Sequence, residues 1–395
     1  MIKKYVVFVI YILMACGSMA QSLSGKALKK QIASNLTLAL EQYKLLDKNV
    51  PADRMPQNFD IKNGKLTTSN TKWWCAGFFP GTLWYLFEYS KSPEIRKIAE
   101  QRLNLMEPEK HFTGNHDLGF MMYCSFGNAY RITGNPSYRK TIDTAAMSLA
   151  TRYRPKIQSI QSWDSSKNFK CAVIVDNMMN LELLTWVSNN GGDPRFREIA
   201  VTHANSTIER HFRPDNAAFH VLDYSLASGQ LLRKTTWQGY SDSSAWSRGQ
   251  AWALYGFTTM YRLTKDVKYL DQANKIATFI LNHKYFPKDG IPYWDFDAPN
   301  LPNELRDASA GAIMASAFLE LSDYVKGAVK KKYLTTSELI LTTLSSDEYL
   351  AKPGTNGGFL LKHSVGALPL KGEVDFALTY ADYYFVEAML RYLNR

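Results

Sequence analysis

Ala172-Val173-Ile174-Val175-Asp176-Asn177-Met178-Met179-Asn180-Leu181-Glu182-Leu183-Leu184-Thr185-Trp186, followed shortly by Gly191-Gly192-Asp193-Pro194-Arg195-Phe196-Arg197, carries the plan of the whole chain. Three apolar β-branched residues lead into Asp176, and Met179, Leu183 and Trp186 then recur at helical spacing. The glycine pair ends that helix. Asp193 caps the next one, with Pro194 at its first position, where a missing N–H leaves nothing unsatisfied. The same joint occurs at Tyr89-Ser90-Lys91-Ser92-Pro93-Glu94-Ile95-Arg96, at Thr133-Gly134-Asn135-Pro136-Ser137-Tyr138-Arg139 and, more loosely, at Thr264-Lys265-Asp266-Val267-Lys268-Tyr269. An aromatic- and Leu-rich helix precedes each joint, and a charged, Ala-containing helix follows it. The first kind is apolar nearly all round and belongs inside; the second is amphipathic and belongs outside. Self-similar helical hairpins predict a solenoid or a closed ring.

The starts of the inner helices carry the chemistry. Trp73 and Trp74 stand before the first, His116 and Asp117 before the second, and Asp176 opens the third. Ser247 and Arg248 precede the fourth, Arg306 and Asp307 the fifth, and Asp375 the sixth. Parallel inner helices bring all six clusters to one mouth, which makes the expected fold all-α, a six-hairpin α/α barrel. Gly77, Gly81, Gly119, Gly249, Ala251 and Gly311 near those starts let the inner helices crowd together. Each acidic residue alone reads equally as a helix cap. Together, Trp faces, two carboxylates and an Arg describe a sugar site, with Arg gripping an acidic group in a fork. Burial beside an apolar run predicts that Asp176 holds a proton near neutrality. Gly366, Pro369 and Gly372 mark residues 362–373 as a loop over the same mouth. There Ser364 and Lys371 are candidates for contact with a sulfate or hydroxyl of a bound sugar, against the plainer reading of a solvated loop.

The 395 residues carry a formal net charge of +11. Residues 1–20 read as an export leader: a basic start at Lys3 and Lys4, an apolar run from Tyr5 to Leu13, and Ser18-Met19-Ala20 as cleavage site. Its removal leaves residues 21–395 as one catalytic domain of charge +9, and places the protein in the periplasm. Leu13-Met14-Ala15-Cys16 also resembles a lipoprotein signal that would lipidate Cys16; Met14 is out of place in such a signal, so ordinary cleavage is expected. The apolar run is too short for a permanent membrane helix, and no later segment reads as one. Cys75, Cys124 and Cys171 are odd in number and widely spaced, which predicts buried packing thiols rather than a metal or disulfide framework. A basic exported chain favours acidic glycans over nucleic acid.

Trp74-Cys75-Ala76-Gly77-Phe78-Phe79-Pro80-Gly81, His116-Asp117-Leu118-Gly119-Phe120, Val175-Asp176-Asn177-Met178-Met179-Asn180 and the run from Trp237 to Trp252 resemble the unsaturated glucuronyl hydrolases, glycoside hydrolase family 88. The likeness runs in order from about Trp73 to the C-terminus. It implies the six-hairpin barrel and an activity on lyase-generated disaccharides and short oligosaccharides whose terminal uronic acid carries a C4–C5 double bond. By the matching motifs, Asp176 is the general acid/base and Asp117 the supporting carboxylate. Trp74 and Trp163 match stacking positions, and His116, His220, Gln238, Arg248 and Trp252 the remaining uronate contacts. Cys75-Ala76 stands where many members carry Thr-Ser. No metal and no organic cofactor is implied, no nucleic acid, and either a monomer or a homodimer. Two rivals are an unsaturated rhamnogalacturonyl hydrolase, which the His116-Asp117 pair fits less well, and a non-catalytic exported glycan-binding lipoprotein, which needs no carboxylate pair. Epimerase-like barrels rely on paired catalytic histidines that the mouth clusters lack.

Overall fold

A computed structural model describes residues 22–395. The leader and Cys16 lie outside the described residues. In chain order the helices are α1 (Gly25–Asn49), α2 (Phe78–Ser90), α3 (Pro93–Met106), α4 (Leu118–Met122), α5 (Asn128–Thr133), α6 (Pro136–Ala150), α7 (Leu181–Asn189), α8 (Pro194–His211), α9 (Ser247–Thr264), α10 (Val267–Asn282), α11 (Ala308–Leu321), α12 (Gly327–Leu344) and α13 (Thr379–Leu393). A π turn at Tyr123–Gly127 joins α4 and α5 into one inner rod, and a 3₁₀ turn at Val175–Met179 leads into α7. Around the ring the inner helices contact one another in the order α2, α4–α5, α7, α9, α11, α13, and α13 returns to α2. This is the six-hairpin α/α barrel that the repeated joints predict. Helix α1 is the outer partner of α13, so the two ends of the chain complete the sixth hairpin.

The inner–outer division follows the apolar pattern. Every residue of α11 is buried, whereas α12 buries only Tyr333, Ser337, Ile340, Leu341 and Leu344. The joints form as their sequences dictate: Ser92, Asn135, Asp193 and Asp266 accept hydrogen bonds from Ile95, Ser137, Arg195 and Lys268 N–H, capping the outer helices. Close inner packing needs small residues. A Cβ at Gly77 would collide with the Met121 carbonyl, and one at Gly119 would lie 2.5 Å from Asn180 Cα.

Connections from inner to outer helices are short turns, such as Ser90 to Pro93 and Thr133 to Pro136. Those from outer to inner helices are long, and they contain every strand. The strands are β1 (Met55–Asp60), β2 (Lys65–Ser69), β3 (Tyr153–Arg154), β4 (Ser159–Ile160), β5 (Ala172–Ile174), β6 (Val221–Tyr224), β7 (Leu231–Thr235), β8 (Ser364–Ala367) and β9 (Gly372–Leu378). They form antiparallel sheets in the orders β2-β1-β9-β8, β3-β4 and β5-β6-β7. All the elaboration therefore sits at the mouth where the inner helices begin. Two expectations change here. Residues 362–373 are mostly a β-hairpin rather than an open loop, with a 3₁₀ turn at Leu368–Leu370. Asp375 lies within β9 in the left-handed region, φ 63°, and α13 starts only at Thr379, because β9 must first pair with β1. Cys75, Cys124 and Cys171 are free thiols, and no described helix is long and apolar enough to cross a membrane.

Candidate active site

The β5-β6-β7 sheet assembles half of the site. Its register pairs Ile174 with Val221 and Val221 with Thr235, so the residues just beyond, Asp176, His220, Trp237 and Gln238, emerge side by side. Val175 N–H donates to the His220 carbonyl at 3.0 Å, which locks the 3₁₀ turn to β6. Asp176 sits within that turn and caps nothing. Its Oδ1 is buried without a hydrogen-bond partner among the described residues, 3.8 Å from His220 Nε2. His220 Nδ1 accepts from the backbone N–H groups of Trp237 (3.1 Å) and Gln238 (3.3 Å). Those donors fix the tautomer: the ring proton is on Nε2, facing Asp176. Burial drives the His220 pKa well below its ordinary value, so the ring is neutral.

His116 and Asp117 come from the start of α4, backed by a bridge between Asn115 and Trp163 and by His116 N–H donating to the Ser162 carbonyl. His116 Nε2 lies 3.3 Å from Asp117 Oδ1. Burial lowers the His116 pKa to about 3. Asp117 is raised to about 8 by burial and by the charge of Asp176, with Arg152 opposing; Asp176 is raised to about 7 by burial, with Arg248 opposing. Each carboxyl therefore keeps its proton into the neutral range, and the charge of Asp176 on Asp117 couples the two titrations.

Aromatic residues make the wall. Trp74 packs on Tyr380 (ring centroids 4.9 Å apart), Phe120 (5.8 Å) and Phe78 (5.9 Å), while remaining partly exposed. Trp163 is also partly exposed, edge-on to His220 at 6.4 Å. Trp252 differs from its expected role. It is completely buried against Phe120 (5.0 Å) and Tyr384 (5.3 Å), and so supports the floor instead of presenting a face.

Arg248 also differs. Its Nη1 donates to the Val365 carbonyl and approaches Asp307 at 3.3 Å; its Nη2 donates to Gln238 Oε1 (2.9 Å) and the Gly366 carbonyl (2.6 Å). The guanidinium is held over Trp246 and Tyr380 at 4.5 and 5.4 Å. The fork expected to grip a ligand carboxylate is thus occupied by the protein, and only Nε lacks a partner. Arg248 bolts the β8–β9 hairpin to the mouth. Asp307, which caps α11 through Ser309 N–H, braces it from behind. Ser364 places a buried, unpartnered Oγ at the base of that hairpin, while Lys371 is exposed at its turn with φ 53°.

Sequence reasoning passed over Arg152, Tyr380 and Asn180. Arg152 is buried at the end of α6, donates to the Thr113 and Gln161 carbonyls, and holds the segments that carry His116 and Trp163. Nothing in its local sequence marks it. Tyr380 lies in the first turn of α13, and its hydroxyl is buried without a partner at the Trp74 wall among the described residues. Among the described residues no group of three His, Cys, Asp or Glu is placed to hold a metal. A separate cavity of about 490 Å³ opens at the opposite end, lined by Tyr85, Tyr255, Glu387 and Arg391. There Glu387 already accepts from Tyr85, Tyr255 and Ser316, so that network closes on itself.

A proton-holding carboxyl pair at the aromatic mouth of an α/α barrel defines a hydrolase of the glycosidase class. The comparisons bear this out. The Glycosyl Hydrolase Family 88 profile matches residues 48–391, and the chain belongs to that family. It is 42% identical over 353 residues to an unsaturated glucuronyl hydrolase of Formosa agariphila, spanning 89% of this chain and 88% of that one. It is 32% identical over 374 residues to an unsaturated chondroitin disaccharide hydrolase of Streptococcus pneumoniae, spanning 93% and 91%. Its fold superposes with a TM-score of 0.89 on the crystal structure of an unsaturated glucuronyl hydrolase specific for heparin, at 43% identity over 93% of this chain and 98% of the other.

Proposed function

We propose that the protein removes the terminal 4,5-unsaturated uronic acid from glycosaminoglycan oligosaccharides left by polysaccharide lyases. The observation that carries this reading is the Asp117–Asp176 pair: both buried, both held above the ordinary carboxyl range, with Asp176 Oδ1 unpartnered at the mouth among the described residues. The substrate is an enol ether. Protonated Asp176 delivers its proton to C4, and the C4–C5 π electrons form the new C–H bond, leaving an oxocarbenium-like centre at C5. The Asp176 carboxylate then takes a proton from the water that adds to C5. The resulting hemiketal opens and releases the aglycone. No nucleophile attacks the anomeric carbon, so the usual spacing rules for two-carboxylate glycosidases do not apply. In the reactive form Asp117 is ionised and its charge holds the proton on Asp176, against the burial that raises Asp117 to about 8 and Asp176 to about 7. His220 Nε2–H and Tyr380 OH, both without partners, line the position of the uronate, and Trp74 and Trp163 offer ring faces. Export to the periplasm follows from the leader pattern, and cell fractionation checks it. The functional test is turnover of a panel of unsaturated chondroitin, hyaluronan and heparin disaccharides, followed by loss of the ultraviolet absorbance of the conjugated acid. Purified protein inert on all of them would sink the reading.

A further inference from the structure

Asn180 stands where the two carboxylate-bearing segments touch. It is wholly buried, and Gly119 presses so close against it that no side chain fits between them. Its Oδ1 accepts from Phe120 N–H at 2.9 Å. A backbone N–H can only donate, so this bond settles which end of the amide is oxygen. The Nδ2 end therefore faces His116 Nδ1, at 3.5 Å. An amide nitrogen can only donate, so His116 Nδ1 presents a lone pair to it. The neutral ring carries its one proton on Nε2, which lies 3.3 Å from Asp117 Oδ1 and makes no hydrogen bond among the described residues.

We propose that Asn180 is a positioning residue of the hydrolase: acting through His116, it turns an N–H toward Asp117 and so favours the charged form of that carboxyl beside Asp176. The inference rests on the glycosidase reading above. With the ring's proton on Nδ1 instead, a lone pair would face Asp117 Oδ1, and the carboxyl would take up a proton to bridge the gap. The proton would then sit on Asp117, away from the substrate. A wrong imidazole tautomer is known to disable catalysis without disturbing geometry. Of the other described groups around the ring, Asn177 alone also bears on where its proton sits. Arg152 repels its charge, His203 and His220 are neutral by burial, and Arg248 acts on Asp176. Asn177 also faces the ring; its Nδ2 is committed to the Ile160 carbonyl, so it offers only an acceptor for the ring's proton.

Long-range proton–nitrogen correlation spectra of the wild-type enzyme, with His116 assigned by comparison with His116→Gln, read the tautomer directly. We expect an imine-type Nδ1 and a pyrrole-type Nε2; the reverse pattern overturns the proposal. Asn180→Ala and Asn180→Ser, checked for folding by circular dichroism, should lose kcat on an unsaturated uronyl disaccharide by on the order of tenfold or more. KM should stay unchanged, and the acid limb of kcat/KM should move to higher pH. A folded variant with wild-type kcat and an unmoved pH profile refutes the role. The spectrum needs no turnover, so an inactive wild-type enzyme, which would sink the glycosidase reading, is told apart from a wrong tautomer.

Discussion

Asp117 and Asp176 are acids that the folded protein holds above their ordinary range, and the consequence has a definite sign. Each binds its proton more tightly folded than unfolded, so its stabilising contribution is complete below the unfolded pKa near 4 and is lost as pH rises through about 7 to 8. Asp176→Asn should therefore melt higher than the wild type at pH 8, by differential scanning calorimetry, and the gap should close towards pH 5. The same variant should lose roughly 10²-fold or more in kcat, with binding largely kept, because an amide matches the shape but delivers no proton to carbon. Retention of more than about a tenth of wild-type kcat would mean that Asp176 has no such task. Both carboxylates were legible in the sequence, because an acid after an apolar run is chemically conspicuous. The task of Arg248 was not. A sequence shows that a guanidinium is present but not that Val365, Gly366 and Gln238 already fill its fork.

At the scale of elements, the mouth depends on short strands that neutral histidines hold in place. His203 Nδ1 accepts from Ile160 N–H of β4 at 3.0 Å, His211 Nε2–H donates to the Val173 carbonyl of β5 at 3.2 Å, and His220 receives the chain just after β7. Burial lowers His203 to about 3 and His211 to about 4. A depressed histidine contributes stability that is complete above its unfolded pKa near 6.5 and is lost as pH falls towards its folded value. We therefore expect the mouth sheet to loosen before the barrel on acidification: amides of β5 and β6 should lose hydrogen-exchange protection between pH 6 and 4, while those of α11 keep theirs. The hairpin β8–β9 is a second such element. Its exposed Lys371 should act on selectivity, so that Lys371→Ala changes the ratio of kcat/KM between sulfated and unsulfated disaccharides; an unchanged ratio leaves that residue without a role in recognition. These strands escaped sequence reading because runs of two to seven residues show too little alternation to compete with helical periodicity. The hairpins were readable because four joints repeat a capping residue, three of them with a proline behind it.

The ring as a whole is sealed by its two ends. Gly25 N–H donates to Tyr392 OH at 3.0 Å across 367 positions of sequence, and Lys29 Nζ donates to the Leu393 and Arg395 carbonyls. The last helix synthesised is thus a keystone. A nascent chain that has emitted five hairpins is an open arc, with the apolar flanks of α2 and α11 bare until α13 arrives to cover both. Slow, long-range closure of this kind exposes a growing chain to aggregation. It also marks where the polypeptide is free to be re-cut. Joining residue 22 to residue 395 through a short linker and opening the chain at the Thr264–Val267 turn, on the face away from the mouth, would make the contact between α1 and α13 a local one. Such a permutant moves the seam instead of removing it: α9 then arrives last and must close on α10 and α11, so pulse-labelled refolding should show α9 protected last where the natural order of the chain leaves α13 last.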